Sequence, residues 1–265
     1  MANKPRVAVC LSGQPRVAKE TFHLIMNNII RPNCADVFIH MNFDSNALYM
    51  EKSHADNGRC QLEPGIDKWV IEHYQPKRWL VEAPRNYKNE VIGMSEKRLE
   101  NHKKMNAHKN WSDQQHHEYI KRQMYNMYYS IYKANELKEL YMLETGIHYD
   151  YVFKLRFDIA PRDVILACDY EANYIYYLDI GQPDALISDW LNFGSNAIMN
   201  VYASIFLHLE YLNNFKFFKK EDREENVLEP SDTYSGLYEF LLRDIMYLHK
   251  IPKCGIKSNC CLLTN

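Results

Sequence analysis

Apolar residues run without interruption from Val7 to Leu11, directly after Arg6, and Ser12-Gly13-Gln14-Pro15-Arg16 then breaks the run. That pattern predicts a buried strand ending in a turn. From Val17 to Ile30 the period changes: Ala18, Phe22, Ile25, Met26, Ile29 and Ile30 fall on one face at helical spacing, and Arg31-Pro32 supplies a stop. Asp36 to Met41 reads as a second strand. Strand, turn, helix and strand in this order open a parallel sheet covered by helices.

Pro64 to His73 predicts a short helix with Ile66, Trp69 and Val70 inward, and Arg78 to Glu82 a third strand. Between Asn86 and Ser112 the periodicity fails; Lys97, Arg98, Lys103, Lys104 and Lys109 gather there, as in a long polar insertion, either a binding loop or a solvated excursion. Gln114 to Glu144 is the longest periodic segment, with Ile120, Met124, Met127, Tyr128, Ile131 and Leu137 on one stripe and Gly146 past its end. Tyr149 to Phe157 and Ile175 to Leu178 read as strands. Ser195 and Ser231 are placed to cap two amphipathic helices, the first carrying Ile198, Tyr202, Ile205 and Leu209, the second Leu237, Phe240, Leu241, Ile245 and Leu248. Neither internal repeat nor linker interrupts the chain, so one domain over residues 1–265 is expected.

Composition narrows the chemistry. With 46% hydrophobic residues the chain can bury an ordinary core, and 32 Lys plus Arg against 34 Asp plus Glu gives a net charge of -2, which excludes the footprint of a duplex-binding protein. Only nine residues are Gly, and neither GxxxxGK nor GxGxxG occurs, so a bound phosphate must be met by side chains or metal. Seven Cys without paired spacing, and no apolar run of signal or membrane-spanning length, point to a cytoplasmic protein. Cys261 is fifth from the end, one place off a prenylation site.

Three places carry candidate chemistry. At the first turn, Ser12 and Gln14 are suited to bond a base or ribose, Gly13 to close backbone approach, and Arg16 to fork onto a phosphate; a plain structural turn with a solvated Arg fits the spacing equally well. In Lys154-Leu155-Arg156-Phe157-Asp158, strand alternation would put Lys154, Arg156 and Asp158 on one face, as suits a diphosphate bridged by Mg²⁺ or Mn²⁺, or merely a solvent-facing ion pair. In the run Gly181 to Ser195, Asp184 or Asp189 is a candidate general base for a hydroxyl acceptor and Trp190 a platform for a sugar, with loop and capping roles as the alternative. His40 ends the second strand where it would face the same cleft as Ser12, and His249 is a further candidate phosphate or metal contact. His102, His108, His116 and His117 lack the spacing of a zinc site.

Taken together, Val9-Cys10-Leu11-Ser12-Gly13-Gln14-Pro15-Arg16, Ala35-Asp36-Val37-Phe38-Ile39-His40 and Tyr149-Asp150-Tyr151-Val152-Phe153-Lys154-Leu155-Arg156-Phe157-Asp158 resemble a glycosyltransferase family of the GT-A type, found in surface-polysaccharide gene clusters and large DNA viruses. Tyr129-Ser130-Ile131-Tyr132-Lys133-Ala134-Asn135 and Asp189-Trp190-Leu191-Asn192-Phe193-Gly194-Ser195 extend the match. The resemblance implies an α/β, Rossmann-like fold with a mixed, mainly parallel central sheet flanked by helices. It implies sugar transfer from a nucleoside-diphosphate sugar donor to a glycan or other hydroxyl acceptor, in surface glycan synthesis. Ser12, Gly13, Gln14, Arg16, His40, Lys154 and Arg156 would lie at the nucleotide sugar, Asp158 at a Mn²⁺ or Mg²⁺ ion, and Asp189 would act as the base. The acidic metal motif reads Arg156-Phe157-Asp158 here, so an Arg stands where the family's DxD has its first carboxylate. The alternative function is a non-catalytic nucleotide- or glycan-binding protein on the same fold, using Trp190, Trp111 and the basic insertion.

Overall fold

In a computed structural model, which describes residues 4–51, 59–87, 100, 103–104, 110–179, 187–209, 245–246, 249–258 and 260–262, the first apolar run is strand β1 (Val7–Gly13). It runs two residues further than its hydrophobic core, so Ser12 and Gly13 belong to the strand. Helix α1 (Ala18–Ile25) follows, continued by a π-helical stretch, Met26–Ile30, and a last turn, Arg31–Asn33. The expected stop at Pro32 is replaced by this wider turn, which makes room for a ring that would otherwise strike the carbonyl four residues back. That carbonyl, on Asn28, accepts instead from Ile165 N at 3.0 Å.

Next come β2 (Asp36–Asn42), the hairpin β3 (Tyr49–Glu51) and β4 (Arg59–Gln61), α2 (Ile66–Tyr74) and β5 (Arg78–Glu82). Helix α3 (Asp113–Thr145) starts on a capping box: Ser112 Oγ accepts from Gln115 N at 3.3 Å, and Gln115 Oε1 accepts from Ser112 N at 2.8 Å. It ends at Gly146, whose φ of 69° is the left-handed conformation glycine adopts without penalty. Strands β6 (Tyr151–Leu155), β7 (Ile159–Pro161), β8 (Ile175–Leu178) and β9 (Leu191–Ser195), helix α4 (Asn196–Ala203), and strands β10 (Lys253–Ile256) and β11 (Cys260–Leu262) complete the order.

The main sheet has the order β10-β8-β9-β6-β1-β2-β5. Six strands run one way and β9 opposes them, so the fold is the mixed, mainly parallel α/β sheet expected. Alternation along β1 divides two cores. Val7, Val9 and Leu11 join Phe22 and Ile25 of α1, Ile29 of the π-helical stretch and Val70 of α2; Ala8 and Cys10 join Met124, Tyr128, Ile131 and Ala134 of α3. No helix among the described residues is long and apolar enough to cross a membrane.

Two sequence expectations need correction. Arg156 and Phe157 lie beyond the strand expected to contain them, because the chain turns after Leu155 and Ile159–Pro161 pairs with β11 instead. The segment from Leu191 to Ser195, to which the sequence assigned no strand, is the antiparallel strand β9; Ser195 stands at the N-cap of α4 as expected, without a side-chain capping bond. Most of the Asn86 to Ser112 insertion, Asp184 and the helix after Ser231 lie outside the described residues.

Candidate functional site

The chain builds β1, β2 and β5 outward in one direction, then crosses back through α3 to place β6 on the other side of β1. Between β1 and β6 the progress across the sheet reverses, and the crevice beyond the carboxyl ends of the strands at such a point is where open α/β sheets receive ligands. Here that edge collects the turn after β1, the turn after β6 and, because β9 runs antiparallel, the residues that precede β9.

The first turn is tight. Gly13 has a φ of 108°, with open space where a Cβ would stand. Arg16 N donates to Gln14 O at 2.8 Å across Pro15, a γ-type turn. Val17 follows with a φ of 44°, an uncommon, strained conformation for a β-branched residue, which its burial at the head of α1 holds in place. Across the cleft, Thr21 Oγ1 of α1 donates to Phe157 O at 2.5 Å and thereby anchors the turn that carries Asp158.

Four side chains then meet. Arg156 donates through Nε to Asp158 Oδ1 at 2.9 Å and through Nη2 to Asp158 Oδ2 at 2.7 Å, a bidentate fork, and through Nη1 to Asp189 Oδ2 at 3.2 Å. Arg16 Nη2 donates to Asp158 Oδ2 at 2.9 Å. Lys154, buried on the α3 side of β6, donates through Nζ to the backbone carbonyl of Asp189. Burial would raise the Asp158 carboxyl, yet the Arg156 charge and hydrogen bonds, aided by Arg16, hold it below the usual carboxylate value. Burial lowers Lys154 to about 8, with Asp189 opposing the shift. Arg156, although desolvated, is held more firmly protonated by Asp158 and Asp189.

The expected residues Arg16, Lys154, Arg156, Asp158 and Asp189 thus lie together, but the reason differs from strand alternation. Arg156 and Asp158 meet across a turn, with Phe157 fully buried between them. Ser12, also buried, stands in register with His40, and Gln14 is half-buried at the same edge. His40 shares the α3 face with Ser12, but both its ring nitrogens are engaged: Nδ1 with Ser130 Oγ at 2.7 Å and Nε2 with Glu82 Oε1 at 2.9 Å. Burial lowers its pKa, against the pull of Glu82. Arg85 completes this second group, bonding Glu82 Oε2 at 3.2 Å and lying 4.0 Å over the Tyr129 ring. The sequence reading missed Glu82 and Arg85; the position of Glu82 at the end of a predicted strand, matching that of His40, was the available signal. His249 lies in an exposed turn ahead of β10, at the amino end of the parallel strands and away from this edge.

The donor set does not fit a divalent ion at Asp158. Both Asp158 oxygens and one of Asp189 already accept from guanidiniums, and no group of three His, Cys, Asp or Glu side chains among the described residues is arranged to hold a metal. A dication would also join three cations set against two carboxylates, a group whose net positive charge repels it. The Mn²⁺ or Mg²⁺ expected at Asp158 therefore meets a carboxylate that is already neutralised.

No protein-family model matches the sequence, and no curated protein matches it either. Among solved structures, the chain is similar to a glycosyltransferase involved in the glycosylation of the major capsid of PBCV-1, at 8% identity and a TM-score of 0.33, over 96% of this chain and 83% of the other. It is similar also to the glycosyltransferase GlyE of Streptococcus pneumoniae TIGR4, in its apo form, at 11% identity and a TM-score of 0.35, over 95% of this chain and 45% of that one.

Proposed function

We propose that this chain is a glycosyltransferase that moves a sugar from a nucleoside-diphosphate sugar onto a hydroxyl of a glycan acceptor, within a cytoplasmic route to surface glycans. One observation carries the reading: the three segments that resemble the GT-A family are β1 with its turn, β2, and β6 with its turn, and all three end at the same edge of the sheet, around Arg16, Arg156 and Asp158. The chemical need is to stabilise a departing diphosphate, and preset cations do this at no reorganisation cost. In this reading the acceptor oxygen attacks the anomeric carbon and the bond from that carbon to the diphosphate oxygen breaks. Its electron pair leaves with the nucleoside diphosphate beside Arg16 and Arg156. The acceptor's proton passes to Asp189 Oδ1, while Oδ2 is held by Arg156. Gly13 and Gln14 stand at the strand ends where the nucleoside would lie, with Ser12 and His40 buried behind them.

A thermal-shift panel of UDP and GDP sugars, with CMP sugars as monophosphate controls, tests this, since a ligand at one hundred times its Kd adds about 2.7 kcal/mol. One donor is expected to raise the melting temperature and to release its nucleotide slowly, with the release lost in Arg156→Gln. A panel with no stabilising donor sinks the proposal, and a donor that binds without turnover, with or without acceptor, favours the non-catalytic binding protein.

A further inference from the structure

We propose that the diphosphate is received by Arg16 and Arg156, with the buried charge of Lys154 behind them and Asp158 as the positioning residue that aligns the two guanidiniums, so that binding requires no divalent cation. The identity of the nucleoside rests on the transferase reading above; the anion site rests on the geometry.

Asp158 holds one guanidinium in a two-pronged fork and touches the other, so both are oriented before any ligand arrives. Such preorganisation favours binding because the ordering has already been done. The donors are not exhausted. Of the five N–H groups of a guanidinium, Arg156 uses three, two on Asp158 and one on Asp189. Arg16 uses one, and its Nε is buried without an acceptor among the described residues. A phosphate oxygen is the kind of acceptor that would satisfy it. Three cations stand against two carboxylates, which leaves a surplus positive charge at a half-open edge: the side chains of Arg16 and Arg156 are 25% and 23% exposed, those of Asp158 and Asp189 6% and 10%. The two guanidiniums thus face the cleft more than the carboxylates do, while Lys154, buried behind them on the Asp189 carbonyl, adds only its charge. An anion lowers the electrostatic energy of this group, whereas a second positive ion raises it.

The test is calorimetric titration of the wild-type chain with inorganic pyrophosphate in EDTA, and with UDP and GDP in EDTA and in Mn²⁺. Pyrophosphate and one nucleoside diphosphate should bind in EDTA, the nucleotide with an affinity within about threefold of its Mn²⁺ value. Arg16→Gln, which leaves Asp158 paired to Arg156, should weaken both at least ~10-fold, as loss of a charge-assisted contact does. Asp158→Asn should weaken both without creating a Mn²⁺ requirement. Nucleotide binding that appears only with Mn²⁺ overturns this inference and leaves the transferase reading standing. Pyrophosphate binding with no nucleotide binding overturns the transferase reading and leaves the anion site, and binding of neither overturns both.

Discussion

Lys154 is 2% exposed, and burial brings its ammonium from 10.5 to about 8. Below pH 8 it is protonated both folded and unfolded, and the full cost of burying the charge is present. Between pH 8 and 10.5 the unfolded chain binds a proton that the folded chain lacks, so this residue makes stability rise with pH across that window. The shift corresponds to roughly 3 kcal/mol. Relative to Lys154→Met, wild type should therefore gain on the order of 2 kcal/mol between pH 7.5 and 10 in urea denaturation; parallel curves would show that the ammonium is not desolvated. Tyr202 makes a simpler case. Its hydroxyl donates to the buried Asn192 Oδ1 at 3.0 Å, while Asn192 Nδ2 donates to Ser188 O at 2.7 Å just ahead of Asp189. Tyr202→Phe strands that oxygen and should cost about 1–3 kcal/mol in the same assay, a loss absent if water replaces the hydroxyl.

Among the described glycines, Gly194 of β9 has the least room around it. A Cβ on Gly194 would stand 2.8 Å from the Tyr174 carbonyl oxygen and 3.2 Å from Ile198 Cγ2. Gly194→Ala should thus destabilise by about 1–3 kcal/mol, measured as a lower denaturation midpoint; an unchanged midpoint would mean that β9 shifts freely, against its pairing on both sides. The same strand explains why part of the fold escaped the sequence reading. The early strands and α3 declare themselves through long apolar runs, a sustained helical stripe and a terminal Gly. By contrast, β9 buries Asn192 on one face, contains Gly194 and follows Asp189, so nothing in its pattern separates it from a loop. The short strands β7, β10 and β11 have three or four residues each and exist only through distant partners. The site was visible in part for a related reason. Spacing brought Arg156 and Asp158 together on a strand that ends before either of them, while the Arg16 contact, made across 142 residues, needs the fold to exist.

At the scale of the molecule, the site is held by what surrounds it. The turn bearing Asp158 is fixed by Thr21 on one side, and β7 beyond it by Asn28, whose Nδ2 donates to Pro161 O at 2.7 Å, and by pairing with β11. Removal of residues from Lys253 onward takes away β10 and β11 together. It should lower the melting temperature, speed amide hydrogen exchange in β7 ahead of β1, and weaken pyrophosphate binding; unaltered exchange in β7 would show that α1 alone secures the turn. This arrangement bears on how the protein is made. Ile159 leaves the ribosome about 100 residues before its partner Leu262, an interval of roughly 5 to 20 s at ordinary elongation rates. During that time β1, β2, β5 and β6 can already pair, but the two guanidiniums meet a carboxylate whose loop is still unlatched. Nascent chains thus pass through a period as sheets with an unfinished anion site, and a chaperone or premature ligand acts on a different molecule from the one that emerges once β11 is in place.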